Sequence, residues 1–264
     1  MKIRLYHIIP ELQPYISMIC TMDCSAMLEP HAFRVLPDAC AELFVNYSSL
    51  PLAGISGTST AESSRSFTTF RMSSYMDVSM HPGTACVAVW FRPGKAYRFF
   101  PAPMNELSDK VAGLSILWKE AAWLEEKVAG ATNDEDRVRI VQDILLQKLL
   151  KLKRDDSHVA FCLWQVNNAQ GLLSVRELSE KANISSRQLG RRFNDSVGLS
   201  PKEFTRISRF IHSLKQLKKF PSQSLTSLAY NSGYYDQSHF IRDFKDYAGV
   251  TPGELLNSGN RILY

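Results

Sequence analysis

The chain has 264 residues, 45% of them hydrophobic and 22% charged, an ordinary globular balance that excludes a disordered, collagen-like or disulfide-scaffold chain. Its 31 Lys/Arg against 26 Asp/Glu give a net charge of +5, and its five cysteines, an odd number in a chain able to bury its own core, point to a reducing cytoplasm. No apolar run approaches the roughly 18 residues of a membrane span. After Met1–His7 the residues Pro10, Glu11, Gln13 and Pro14 interrupt any signal-peptide core.

At roughly 100–200 residues per domain, the length suggests two domains. The first half reads as β-rich. Glu42–Tyr47 alternates and is bounded by Ser48-Ser49 and Pro51; Ala85–Phe91 is nearly all apolar and ends at Pro93-Gly94. Segments around Phe67–Phe70 and Tyr75–Met80 look similar, so several short strands predict a sandwich or barrel. From about Glu106 the period becomes helical. Ile116, Leu117, Ala121, Leu124 and Val128 suit one helix face across Ser115–Val128. Asn133-Asp134-Glu135-Asp136 reads as a helix start, with acids in the first turn. Val138, Val141, Ile144, Leu145, Leu149 and Leu152 follow on one stripe, and Lys148, Lys151, Lys153 and Arg154 complement the far end of the dipole. That stripe either packs on its own sheet or faces a second copy of the chain. Asp155-Asp156-Ser157 marks the break between an expected domain 1–155 and a second, 156–264.

The charge is uneven. Residues 157–264 hold 14 Lys/Arg against 8 Asp/Glu, a net +6, while 1–156 carry −1. Counterion release makes such a basic region attractive to a polyphosphate. The same region repeats itself. Leu178–Ser185 aligns with Leu228–Tyr235 at an offset of 50, and each stretch passes from helix to a residue suited to positive φ (Asn183, Gly233) and then to an apolar one (Ile184, Tyr234). At an offset of 51, Leu189, Phe193, Gly198, Pro201 and Phe204 match Phe240, Phe244, Gly249, Pro252 and Leu255, and Ser185 and Asp236 suit N-caps. Each unit therefore reads helix, turn, helix, the arrangement whose second helix can enter a DNA major groove. Leu189 and Phe193 form a buried stripe in the first unit, leaving Arg187, Gln188, Arg191 and Arg192 off it. Phe240 and Phe244 do the same in the second, leaving Gln237, Ser238 and Arg242 on the open face, with His239 beside them as a phosphate or structural contact. Arg can grip guanine with two bonds and Gln can pair with adenine. Between the units Pro201–Phe220 predicts a spacer helix about 27 Å long. Phe204, Ile207, Ile211, Leu214 and Leu217 form its apolar stripe, with Arg206, Arg209, Lys215, Lys218 and Lys219 on the remaining faces.

Residues Leu173–Leu178, Ser185–Phe193 with Gly198-Leu199-Ser200-Pro201, and above all Leu228–Lys245 with Gly249-Val250-Thr251-Pro252, resemble the DNA-binding domain of the AraC/XylS family of bacterial transcription regulators. The resemblance covers about 100 residues, Ser157 to Leu256. It implies seven helices, two helix-turn-helix units, and base-facing positions at Arg187, Gly190 and Arg191, then Gln237, Ser238 and Arg242. Gly190 departs from a base reader, having no side chain. Arg34–Leu43, Phe91–Tyr97 and Glu106–Asp109 resemble a domain that precedes this module in some members, which implies effector sensing or dimerisation. The whole is expected to be an α+β chain: a β-rich, sandwich- or barrel-like domain with a helical tail, then an all-α double helix-turn-helix domain. Its expected partner is double-stranded DNA, with RNA polymerase, a small-molecule effector and a second copy as further candidates, and no membrane, metal, cofactor or catalytic residue. The rival reading is a DNA-tethered enzyme whose front domain uses thiols or a metal. Cys20, Cys24, Cys40 and Cys86 could supply these, but their spacing matches no strong zinc pattern and buried free thiols are the plainer reading. The histidines never cluster, and no P-loop or G-x-S-x-G occurs. Arg92, among aromatics, reads either as a clamp for an acidic ligand or as a turn arginine.

Overall fold

The computed structural model describes residues 1–37, 39–55, 65–70, 72–151, 156–257 and 262–263. A six-stranded antiparallel sheet contains β1 (Lys2–Leu5), β2 (Ile16–Asp23), β4 (Glu42–Asn46), β6 (Phe67–Thr69), β8 (Ala85–Phe91) and β9 (Val111–Gly113), in the order β1-β2-β8-β4-β6-β9. A second sheet runs β10-β3-β7-β5, from β3 (His31–Val35), β5 (Ala53–Ile55), β7 (Met76–Met80) and β10 (Ile262–Leu263). Side chains alternate across a strand, and the six-stranded sheet is covered on both faces. Leu43, Val45, Val87, Val89 and Phe91 pack against a helical layer, whereas Cys20, Met22, Phe67, Cys86 and Ala88 face Phe33, Val78 and Met80 of the second sheet.

The helical layer contains α1 (Met104–Leu107), α2 (Leu114–Leu117), α3 (Ala121–Gly130) and α4 (Asp134–Lys151). The predicted strands at 42–47, 67–70, 75–80 and 85–91 correspond to β4, β6, β7 and β8. Two helical expectations need correction. After α1 the chain returns to the sheet as β9, pairing with β6, before turning helical again. The single helix expected over Ser115–Val128 is two, α2 and α3. Trp118 breaks it: its backbone is extended (φ −127, ψ 120), its ring is buried, and its indole N–H donates to the Phe99 carbonyl at 2.9 Å. Ile116, placed on the buried face by periodicity, is 77% exposed. In α4 the acids start the helix as expected, with Asn133 Oδ1 accepting from the Asp136 N–H. Val138, Val141, Ile144 and Leu145 are buried against the chain's own sheet, which decides the fate of that stretch of the stripe; Leu152, Lys153 and Arg154 lie outside the described residues.

The remaining helices share another core: α5 (Ser157–Asn168), α6 (Val175–Lys181), α7 (Ser186–Val197), α8 (Pro201–Lys219), α9 (Leu225–Asn231), α10 (Gln237–Ala248) and α11 (Pro252–Asn257). Leu36 and Ala39 of the β-rich half belong to this second core as well. The spacer stripe predicted on α8 is buried at Phe204, Ile207, Leu214 and Leu217, joined by Phe210, while Ile211 is partly buried. A 19-residue helix is about 28 Å long.

Candidate nucleic-acid interface

The repeat in the sequence is a repeat in the backbone. Helices α6 and α9 begin at Val175 and Leu225 and end at Lys181 and Asn231, 50 residues apart; α7 and α10 begin at Ser186 and Gln237 and end at Val197 and Ala248, 51 apart. The extra residue is absorbed in the turn, after Asn183 (φ 53) and Gly233 (φ 75) have reversed the chain. Ser185 Oγ accepts from the Gln188 N–H, and Asp236 Oδ1 from the His239 N–H, so each second helix starts on a side-chain cap. Leu189 and Phe193, then Phe240 and Phe244, are fully buried. That leaves each helix one outward face.

On α7 that face carries Arg187, Gln188 and Arg191, all exposed. Gln188 also closes the cap, its Oε1 accepting from the Ser185 N–H at 3.0 Å. A side chain at Gly190 would meet nothing within 4 Å, so the bare position is open surface. On α10 Ser238, His239 and Arg242 are exposed, and Gln237 is half-buried with its Oε1 accepting from Thr226 Oγ1 at 2.8 Å. His239 Nδ1 lies 3.4 Å from Asp236 Oδ2, which holds the ring beside the helix start. Arg192, which the sequence leaves off the buried stripe of α7, and Arg206, which it leaves off that of the spacer helix α8, serve elsewhere. Arg192 pairs with Asp156, the α5 N-cap, at 2.7 Å. Burial works against the Asp156 carboxylate, but Arg192 and the backbone N–H groups of Val159 and His158 outweigh it and hold its pKa below the usual range. Arg206 reaches from α8 to Asp243 (2.7 Å) and Asp246 (2.5 Å) of α10, and the Tyr234 hydroxyl donates to Asp243 Oδ2 at 3.0 Å. Burial opposes the Arg206 charge, yet the two aspartates overcome it and raise its pKa; burial and Asp243 raise that of Tyr234 too.

The β-rich half touches both second helices at the same place, their carboxyl ends. Each ends on a left-handed glycine, Gly198 (φ 78) and Gly249 (φ 71). Ser108 Oγ bonds to the Gly198 carbonyl at 2.9 Å, and a Cβ on Gly198 would stand 2.5 Å from that oxygen. Arg34 Nη1 donates to the Ala248 carbonyl at 3.0 Å, and a Cβ on Gly249 would lie 2.3 Å from the Tyr75 ring. Arg34 is set by Asp77, Nε to Oδ1 at 2.7 Å and Nη2 to Oδ2 at 3.0 Å, and its guanidinium lies over Tyr75, 3.7 Å from the ring centroid. Neither Arg34 nor Ser108 stands out as functional in the sequence, because each partner carbonyl is a backbone group in the other half.

Among the described residues no group of three or more His, Cys, Asp or Glu is placed to hold a metal ion. All five cysteines are free; burial pushes Cys20 and Cys162 up to about 11, so these two thiols stay protonated at neutral pH, and burial raises Cys86 well above its ordinary value too. Arg92 donates from Nε to the Gln13 carbonyl at 2.8 Å and so braces a loop.

A helix-turn-helix domain model matches residues 178–258, and a domain of unknown function (DUF6597) matches 6–113. The chain is similar to the HTH-type transcriptional regulator MtrA of Neisseria gonorrhoeae, 34% identical over 88 residues, 33% of this chain and 29% of that protein. It is also similar to the HTH-type transcriptional activator RhaS of Mannheimia succiniciproducens, 29% identical over 92 residues, 35% of this chain and 34% of the other. The matched segments thus span about a third of those relatives' lengths. Among solved structures, ToxT of Vibrio cholerae aligns at a TM-score of 0.47 and 13% identity over 97% of this chain and 98% of its own. A probable AraC family transcriptional regulator of Rhodopseudomonas palustris aligns at 0.35 and 27% over 39% and 96%.

Proposed function

We propose that this chain, whose residues 178–258 match a helix-turn-helix domain model and which resembles the AraC/XylS family of transcription regulators, recognises double-stranded DNA sequence-specifically with α7 and α10 in adjacent major grooves. The observation that carries the reading is the pair of equivalent, side-chain-capped helices whose exposed faces present Arg187 and Arg191 in one and Arg242 in the other. Long guanidinium groups on an open helix face can read guanine edges, while the capped helix starts and His239 meet phosphates. Gln188, Gln237 and Ser238 complete the base-facing set; each of the two glutamines would release an intramolecular bond to read a base. Replacing Arg242 with Ala should cost about 1–3 kcal/mol on the cognate site and relax base choice at one position. Equal losses on cognate and scrambled DNA would make Arg242 a phosphate anchor and remove it from the reading set. A parallel change at the exposed Lys219 should weaken all sequences alike and flatten the salt dependence.

The β-rich domain, in this reading, controls the DNA-binding half by holding the ends of both reading helices through Ser108 and Arg34. An effector lodged between the two sheets would act on that hold, since β3 and β7 alternate between residues facing the sheet interface (Phe33, Val35, Met76, Val78) and the pair Arg34–Asp77 that reaches α10. The Arg34→Ala/Ser108→Ala double variant should alter operator affinity with no change at any DNA-facing residue. Unchanged affinity would leave the two halves energetically independent.

A further inference from the structure

Between the two sheets lies a cavity of about 240 Å³, more than the roughly 150 Å³ that accommodates benzene in a protein core. Strands β1, β2, β3, β4, β6, β7 and β8 wall it, and its described lining side chains are apolar or aromatic apart from Cys20, Glu42 and Thr69. A lining of this kind gives water few polar partners and suits hydrocarbon instead. Four methionines, Met18, Met22, Met76 and Met80, stand among its aromatic rings. Unbranched thioether chains repack around bodies of different outline and make favourable sulfur–ring contacts, the device by which methionine-rich surfaces accept more than one partner.

The three polar side chains decide what charge an occupant carries. Glu42 is buried, stands opposite Thr69 in the sheet register, accepts a hydrogen bond from Thr69 Oγ1 and is thus engaged within the chain. A cationic ligand would have to compete with the partners that Glu42 already holds, and an anionic one would place a second acid beside it. Burial keeps the Cys20 thiol protonated, its pKa pushed up to about 11. Along the rest of the described lining a charged group would exchange water for hydrocarbon, which costs far more than the same exchange for a hydroxyl or carbonyl group.

We propose that this cavity binds an uncharged lipophile, an alkyl or aryl body carrying at most a hydroxyl or carbonyl group. The proposal rests on the reading that the β-rich domain senses an effector, and adds the chemical class that the site selects. The route from the cavity to α10 is short: Phe33, Val35, Met76 and Val78 line it, and between them Arg34, set by Asp77, donates to the Ala248 carbonyl.

The test uses three probes sharing one para-tert-butylphenyl body: the benzyl alcohol, the benzylamine and the phenylacetate, which are uncharged, cationic and anionic at neutral pH. In each the polar group stands close to the ring, so burying the body carries the charge in with it. Each is titrated calorimetrically into the full chain, and operator affinity is measured with and without it. The alcohol should bind at least about tenfold tighter than either charged analogue, and octanol, with an alkyl body, should displace it. Val78→Phe and Met76→Phe each fill part of the cavity and should weaken the alcohol by at least about tenfold; a cooperative melting transition reports that each is folded, and the wild-type ranking needs no variant. Failure of the alcohol to bind, a charged analogue that matches or beats it, octanol that does not displace it, or full alcohol affinity in a folded filling variant overturns the assignment. The two layers separate in the DNA arm. An alcohol that binds with the expected preference while operator affinity stays fixed removes the control reading and keeps the ligand class. An operator that responds to a charged analogue and not to the alcohol keeps control and removes the class.

Discussion

Helices α7 and α10 hold equivalent places in their units, yet they are tied down differently. On α7, Arg192 reaches back to Asp156 at the start of α5 through a pair that is 37% and 21% exposed. On α10, Asp243 is 7% exposed and takes bonds from both Arg206 and Tyr234. The first unit is therefore fastened to the helix that opens its domain, and the second to the spacer α8. What the repeat preserves is the cap, the buried aromatic or leucine stripe and the terminal glycine; what it varies is the polar tie and the outward side chains. Cap and stripe make a helix-turn-helix, and the polar tie and outward side chains are where the two copies differ.

The two ties should be unequal, and that is the first way to break the comparison. Arg206→Ala leaves Asp243 buried with Tyr234 as its remaining described partner and should cost about 2–3 kcal/mol in denaturant unfolding, whereas Arg192→Ala, a more exposed pair, should cost about 1 kcal/mol or less. Equal losses would mean that the polar tie does not distinguish the units. Next in size is Gly249→Ala, which puts a Cβ on a left-handed residue and against the Tyr75 ring. A loss of about 1–2 kcal/mol is expected; a neutral result in the same unfolding experiment would show that the seam yields freely. Gly190→Ala moves in the opposite direction. The position is open, so the variant should gain about 0.5–1 kcal/mol of stability, and a simultaneous loss of DNA affinity would identify the bare position as a seat for the DNA backbone.

The smallest effect concerns pH. The folded state lowers the Asp156 pKa, so its contribution is fully present above the unfolded value near pH ~3.9 and disappears as pH falls through the folded one. Asn can also cap a helix, so Asp156→Asn isolates the charge. The melting-temperature gap between wild type and this variant should be the same at pH 7 and pH 6 and should close below about pH 4. A gap that closes at higher pH would assign the titration to another group.

The helix-turn-helix pair was legible because its signals are short-range. Ser185 and Gln188, Leu189 and Phe193, and the glycine that ends the helix lie within one short stretch, and the second copy repeats them. Strands β4 and β8 were legible from turn residues at their ends, while β2 was hidden because both its faces are largely covered and its sequence does not alternate. Three-residue β9 carries too little pattern to be seen against the helices around it. The helix expected at 115–128 failed on one tertiary contact, the burial of Trp118 against Phe99 and Phe100. The seam was visible only as motif. Arg34–Leu43, Phe91–Tyr97 and Glu106–Asp109 carried the resemblance in the first half, and all three meet the DNA-binding half: Arg34 at Ala248, Gly94 against Leu163 and Val197, Ser108 at Gly198. Arg34 and Ala248 are 214 residues apart, a distance over which no local pattern speaks.

The central claim is that the two units read one duplex as a pair. Selection of binding sites from random DNA by the wild-type chain, by Arg191→Ala and by Arg242→Ala tests it most directly. The account predicts two blocks of base preference about one helical turn, ~10 base pairs, apart, with each variant flattening its own block and sparing the other. A single block, or two variants that weaken every sequence alike, would contradict it.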